Sequence, residues 1–458
     1  MTSLLALAVL AEYSGTLVVI NQTPYTWEQT YVHSYQMNEW TFPQSIPPGE
    51  TANIAVGFAT GTGVTVSDDG GEVTFTFLDG FDNPWSFQLQ ARAPSDNLNI
   101  QAYMQTLSAA NNPQGSTIPL GFLTTGLFGS GSSVFILSQF DDSPFYTNNP
   151  PTAWMQSMVS YLGFLTLRNI CMPGSHDAGM SSIDGSTAGV TNSDAITQTN
   201  SIGGQLAFGS RYFDIRPVIS SGIFKTGHYS QESTGIWAGA NGQTMSSLIG
   251  EINAFTGDNA ELIILNLSHD LNTDSGYVSF TSSDWTNLFQ QMLEIEHLFV
   301  APNPTTVDLS TMRLEQFIGN GEAAVVVVVQ SSVGESTIGS YASSGFYPYG
   351  AFDVYNSYIN TDNANTMMND QFTKLAQQRQ SPDDPLFLLS WILEQSVADI
   401  VGSDSILDLA LTAYPMLFAE LFNYATQNSY PNILYIDNIH NADVTALALA
   451  VNNFAQNI

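Results

Sequence analysis

Five consecutive valines at 325–329 constrain the fold more than any other stretch of this chain. β-Branched side chains favour extended backbone, and a run without polar alternation has no face to offer water. Such a strand belongs in a parallel sheet covered on both sides. It is one of eight apolar strand-like runs after Trp154, at 165–172, 211–218, 223–229, 262–267, 323–330, 350–355, 386–392 and 433–436. Helical stretches intervene, among them 246–256, 283–297, 365–380 and 406–426. Strands alternating with helical crossovers predict an α/β fold, a β/α barrel of the TIM type. A doubly wound sheet satisfies the same pattern.

The first part of the chain reads differently. Residues 13–105 carry short β-branched and aromatic runs (16–20, 51–58, 63–67, 72–78 and 85–92) separated by Gly, Asp and Pro clusters, with no helical periodicity. That pattern predicts an all-β, sandwich-like domain. The segment 141–151, DDSPFYTNNPP, reads as a linker, so the expected division is 1–145 and 146–458. Tyr25, Trp27, Tyr31, Tyr35, Trp40 and Phe42 crowd one stretch of the first domain. Core packing is the simpler role for them; a patch that enters a membrane interface or stacks on sugar is the other. Asn21-Gln22-Thr23 matches a glycosylation sequon, weakened by Pro24. Residues 4–11, LLALAVLA, form either a short secretory h-region with no basic residue before it or a first strand.

Charge narrows the function classes. Eight Lys and Arg against 41 Asp and Glu leave a net charge of −33. Such a field repels nucleic acid and anionic bilayers, and nucleic-acid binding is excluded as a role. The surface suits a secreted or extracellular protein. No apolar run in the sequence is expected to reach the roughly 18 residues needed to span a bilayer. Cys171 is the only cysteine, so no intrachain disulfide can form, and its place after an apolar run suggests an inert buried thiol.

In a β/α barrel the chemistry lies at the carboxyl ends of the strands. His176 and Asp177 follow the first run, Asp214 and Arg216 end the second, and His228 ends the third. His269 and Asp270 follow the fourth, and Asp437 ends the last. Each histidine alone is no more than a hydrogen-bonded side chain. Their joint placement with an arginine, in a chain with so few cations, predicts one pocket. Two imidazoles, a guanidinium and orienting carboxylates suit general acid–base work on a phosphodiester. One ring removes a proton from the attacking hydroxyl, the other protonates the leaving oxygen, and the guanidinium balances charge on the phosphate.

The run Pro173-Gly174-Ser175-His176-Asp177, then Gln205-Leu206 with Gly209, Arg211-Tyr212-Phe213-Asp214-Ile215-Arg216, Gly227-His228 and the segment 261–269 resemble the X domain of phosphatidylinositol-specific phospholipases C and related phosphodiesterases. The resemblance runs from about residue 150 onward and weakens after 270. It implies a β/α barrel, with His176 as general base and His228 as general acid. It further implies Asp177 behind His228, Arg216 on the phosphate with Asp214 fixing it, and Asp437 as partner of His176. Calcium-dependent relatives carry Asn where Asp177 stands. With Arg216 in place of an ion, the resemblance points to the metal-independent, bacterial-type branch, with no cofactor and calcium disfavoured. The implied substrate is phosphatidylinositol or a soluble or glycosylated relative, cleaved through a cyclic inositol phosphate.

Tyr355 and Trp391 end strands and are candidates to stack on a sugar ring, Lys225 is a candidate to face phosphate, and His269 and Asp270 to support the site from behind. The first domain is expected to make peripheral contact with a membrane. Two other readings compete. One is a lipid- or sugar-binding protein on a barrel with a weak site; the other is a phosphodiesterase for a different head group.

Overall fold

The computed structural model describes residues 13–59, 63–78, 83–93, 98–124, 131–231, 235–395 and 405–456; the segment 4–11 lies outside them. The chain divides into two compact units, 1–149 and 150–458.

In the first unit the described residues form two six-stranded sheets. One runs in the order Leu123–Thr124, Gly131–Ser138, Tyr13–Gln22, Thr51–Phe58, Met37–Trp40, with Tyr146–Thr147 beside Gly131–Ser138. The other runs Ser45–Ile46, Trp27–Tyr35, Gly70–Phe77, Ser86–Arg92, Asn99–Tyr103, Thr117–Gly121. Ser86–Arg92 shows the period of two, with Phe87, Leu89 and Ala91 buried and their neighbours half-buried. Trp27 packs edge-on to Phe87 at 5.0 Å between ring centres, within a core that includes Phe75, Phe77 and Phe135. Of the crowded aromatics, Trp27, Trp40 and Phe42 are therefore core, whereas Tyr31 and Tyr35 are exposed. The run 63–67 is not a strand but leads into a 3₁₀ turn at Val66–Asp68. Asn21 is buried and its amide donates to Tyr25 O and Ile46 O, so the sequon is a structural device and not a surface acceptor.

The second unit is built on eight parallel strands: β1 (Met172–Ser175), β2 (Tyr212–Ile215), β3 (Leu262–Leu267), β4 (Ala324–Val329), β5 (Phe346–Pro348), β6 (Val354–Asn356), β7 (Leu386–Trp391) and β8 (Ile433–Ile436). Their order is β5-β4-β3-β2-β1-β8-β7-β6. The sheet curls as a barrel does and stays open between β5 and β6, which are not paired. The valine run fills β4, buried over its whole length between β3 and β5. Met245–Asp258, Ser282–Met292, Ala364–Gln378 and Ile406–Tyr424 are the main crossover helices, and each begins at a side-chain cap. Two have the reciprocal box, Thr281 with Asp284 and Ser405 with Asp408.

Four of the eight expected strands come out differently, 350–355 among them, since a 3₁₀ turn at Tyr349–Ala351 comes before β6. In 165–172 the chain makes a 3₁₀ turn at Leu167–Asn169, held where Arg168 pairs with Asp308 and Asp353, and β1 starts only at Met172. The run 211–218 breaks at Arg216; Pro217 has no N–H with which to continue the barrel ladder. Pro217–Ser220 instead joins Ile223–Gln231 and Trp237–Thr244 in a small antiparallel sheet, with Leu271–Asn272 alongside. The strand carrying His228 thus lies outside the barrel, and its place in the count is taken by β5. The helix Ile406–Tyr424 departs from expectation in another way, being long and apolar enough to cross a membrane. Here Leu409, Ala413, Leu417 and Leu421 are buried, so one side of it serves the unit's interior.

Candidate active site

At the carboxyl ends of β1, β2, β3 and β8 a cavity of about 880 Å³ opens. His176, Asp214, Arg216, His228, His269 and Asp437 all line it, and Asp177 is fully buried beneath. Three turns that leave the strands hold a left-handed backbone at Asp177 (φ 39°), His269 (φ 51°) and Asn438 (φ 59°). Asp, His and Asn tolerate this region better than most residues, yet each costs on the order of 1 kcal/mol. The surrounding packing holds that strain where the ionisable side chains converge.

His176 Nδ1 lies 2.7 Å from Asp437 Oδ1, and His228 Nδ1 lies 2.7 Å from Asp177 Oδ2. Arg216 stands between the pairs. Its Nε donates to Asp214 Oδ2 at 3.0 Å, Nη1 is 3.4 Å from Asp177 Oδ2, and Nη2 is 2.6 Å from His176 Nε2. Asp214 in turn accepts from Ser268 Oγ at 2.5 Å and from the Tyr435 hydroxyl at 2.8 Å. Ser268 also meets His269 Nδ1 at 2.8 Å. The strand bearing His228 is fixed by a close approach: a Cβ on Gly239 would lie 2.1 Å from His228 O.

The electrostatics follow from these contacts. Burial alone pushes the Asp214 carboxyl up, but Arg216 and the neighbouring histidines outweigh it and hold the group well below the usual carboxylate range. Burial lowers Arg216 in the same way, and Asp177 and Asp214 reverse it, so the guanidinium is firmly charged. For His176, burial disfavours the imidazolium and Asp437 favours it; with Arg216 opposing, the net direction is up. His269 goes down, through burial and then Arg216.

Besides the buried Asp177, four sequence candidates do not reach the cavity wall. Lys225 pairs with Asp184 at 2.7 Å. Trp391 is buried and its indole N–H donates to Ala413 O. Tyr355 stacks on Phe387, and Asp270 accepts from Phe280 N. The neighbours Asn356 and Ser390 line the cavity instead, because alternate residues of a strand face opposite ways. The same period of two would have found Tyr435, two before Asp437 on β8. Gln198 carried no signal in the sequence. It is fully buried, and its amide donates to His176 O at 2.9 Å and Ile436 O at 3.2 Å while accepting from Ile439 N. Asn266 and Gln330, hydrogen-bonded to each other at 2.9 Å, also line the cavity unforeseen.

No protein-family model matches the chain, and no curated protein matches it. Among solved structures it is similar to the F249X mutant of phosphatidylinositol-specific phospholipase C from Staphylococcus aureus. That likeness has 15% identity and a TM-score of 0.48, over 66% of this chain and 97% of the other. It is also similar to phosphatidylinositol-specific phospholipase C from Listeria monocytogenes, at 16% identity and TM-score 0.44, over 64% and 97%. A further S. aureus phosphatidylinositol-specific phospholipase C, from work on modulation of membrane binding, gives 16% identity and TM-score 0.47 over 66% and 97%.

Proposed function

We propose that this chain is a phosphodiesterase of the phospholipase C type, cleaving phosphatidylinositol or a related inositol phospholipid through a cyclic phosphate. One observation carries the reading: two histidines, each backed by its own carboxylate, converge on one arginine inside one cavity. A phosphate arriving at Arg216 draws Nη2 away from His176 Nε2 and frees that lone pair. His176 then takes the proton of the head-group hydroxyl next to the phosphodiester. The oxygen bonds to phosphorus as the bond to the diacylglycerol oxygen breaks, and His228 Nε2 protonates the departing oxygen. Arg216, pinned by Asp214, holds the charge on the non-bridging oxygens. His176 ends protonated and His228 neutral; attack of water on the cyclic phosphate, with the roles exchanged, resets both.

The reaction is proposed to run without a metal. A hard cation needs several oxygen ligands. Both Asp214 oxygens are already taken by Ser268, Tyr435 and Arg216, and Asp177 Oδ2 by His228 and Arg216. The head group is proposed to be a polyol without further phosphates. Asn266, Gln330, Asn356, Asn360 and Ser390 offer hydrogen bonds, and among the described residues Arg216 is the only Lys or Arg on the wall. Lipid contact is proposed through Ile236 and Val278, exposed beside the stacked Trp237–Tyr277 pair. Ala238 and Gly239, which follow Trp237 along the strand, and Ser230, across from Ala238, line the cavity. Tyr31 and Tyr35 of the first unit are a second such surface, and either must offset the repulsion of an acidic chain from anionic lipid.

The test is release of cyclic inositol phosphate from phosphatidylinositol in excess chelator, by wild type and His176→Ala. Release by wild type alone is expected. No release by wild type removes the substrate; release that chelation abolishes removes the metal-free route; release by the variant removes His176 from its role.

A further inference from the structure

We infer that His269 is a neutral hydrogen-bond acceptor held ready for a hydroxyl of the bound head group, with Ser268 fixing its tautomer. The inference rests on the head-group reading above and adds a binding residue to it.

The argument follows protons along the chain His269, Ser268, Asp214. Asp214 is ionised, so it can only accept, and the 2.5 Å contact from Ser268 Oγ is an O–H donated to the carboxylate. Ser268 has one hydrogen, and Asp214 receives it. At the 2.8 Å contact with His269 Nδ1 the hydroxyl oxygen must therefore accept, and His269 must carry its proton on Nδ1. Nε2 is left with its lone pair. It makes no hydrogen bond to the protein among the described residues, and the His269 ring lines the cavity.

The charges around the ring keep it neutral. Burial and the Arg216 guanidinium disfavour the imidazolium, more than Asp214 and Asp177 favour it, and His176 adds to the repulsion. A neutral acceptor selects a donor. Phosphate and carboxylate oxygens offer it none, whereas a hydroxyl does. Asn266, on the same side of the chain as Ser268 by the period of two, lies along the cavity wall beside it. His269, whose ring lines the cavity, keeps a left-handed backbone in its turn at a cost in stability.

The experiment has two arms. Long-range proton–nitrogen NMR of the full chain reads the His269 tautomer without any turnover. The Nδ1–H form is expected in wild type, and a shift toward Nε2–H in Ser268→Ala. A wild-type Nε2–H form overturns the inference. The second arm measures the dissociation constant of myo-inositol for wild type, His269→Phe and His269→Gln. The Phe variant is expected to bind about tenfold more weakly, and the Gln variant, whose carbonyl accepts, to recover most of that. Wild-type affinity is expected to fall as His269 protonates below its ordinary pH range, with no such fall in His269→Gln. Equal affinity in all three overturns the inference. Both arms stand apart from cleavage of phosphatidylinositol, so a failure of the proposed reaction and a failure of this assignment give different results.

Discussion

Arg216 Nη2 stands 2.6 Å from His176 Nε2, a donor set against the one nitrogen of that ring that does not face Asp437. The contact requires a lone pair on Nε2, so the resting ring is the Nδ1–H tautomer with its basic nitrogen turned to the cation. In the proposed reaction, the base and the group that meets the phosphate are thereby aimed at one point. Ligand binding exchanges one partner of Arg216 for another, with no need to move the strand that carries it.

Arg216→Lys tests whether the guanidinium fork matters beyond its charge. A single ammonium cannot hold Asp214, approach Asp177 and meet phosphate together. We expect kcat/KM to fall about 10²-fold or more with the near-UV circular dichroism unchanged. A lysine variant within about threefold of wild type would mean that charge alone suffices.

Asp437 sets the pH dependence. Burial and Arg216 lower His176, but Asp437, with Asp214, outweighs them, so the acid limb of kcat/KM is expected above the ordinary histidine value of about 6.5. In Asp437→Asn the attraction is gone and Arg216 remains, so the limb should move to lower pH. Stability carries the matching sign. A raised folded value stabilises fully below the unfolded value and fades as pH rises through the folded one. Urea unfolding from pH 5 to 8 should thus show wild type losing more stability than the Asn variant. A limb that stays in place in Asp437→Asn would assign the titration to another group.

The sequence made the polar constellation legible because strand ends place side chains by simple rules. His176, Asp214, Arg216 and Asp437 are each positioned by the end of a parallel strand. His228 lines the cavity from a side hairpin and not from a barrel strand: an apolar run flanked by polar residues reads alike in both. Tyr355, Trp391 and Lys225 do not line the cavity, for a different reason. Which face of a strand looks inward depends on register, and register is set by partners far away in sequence. Gln198 was invisible, since a loop glutamine becomes special only through the carbonyls that packing brings to it.

Lys225→Met should leave KM within about twofold of wild type. Its partner Asp184 is 60% exposed, and a pair of that kind contributes roughly 0–1 kcal/mol. Initial rates across substrate concentration settle it. A tenfold rise in KM would bring the ammonium to the substrate and redraw the cavity wall.

A further phosphate on the head group should be a handicap. It would enter a cavity whose wall holds Asp194, Asp214, Glu394 and Asp437 against Arg216, the only Lys or Arg there among the described residues. Repulsion of this sign at close range is worth a kcal/mol or more at an effective dielectric of about 20. Phosphatidylinositol should be cleaved at least about tenfold faster than its 4,5-bisphosphate in mixed micelles, and equal rates would point to a cation outside this wall.

Gln198 joins the turn after β1 to the turn after β8, and so places His176 against Asp437. Its amide serves His176 O and Ile436 O while its carbonyl receives Ile439 N, all in the interior. Truncation in Gln198→Ala takes this partner from His176 O and Ile439 N, at a cost of about 1–3 kcal/mol for each that water does not reach, while Ile436 O keeps the His176 N–H. The two turns then lose their common anchor, and His176 loses its aim more than the cavity loses its walls. We expect kcat to fall at least about tenfold while KM changes less than about threefold, since small misplacements of reacting groups weigh on the chemical step. Gln198→Glu separates position from bulk: a carboxylate fills the space but cannot donate to the two carbonyls. It should resemble the alanine variant in kcat, and a Glu variant with wild-type turnover would show that packing alone holds the turns together.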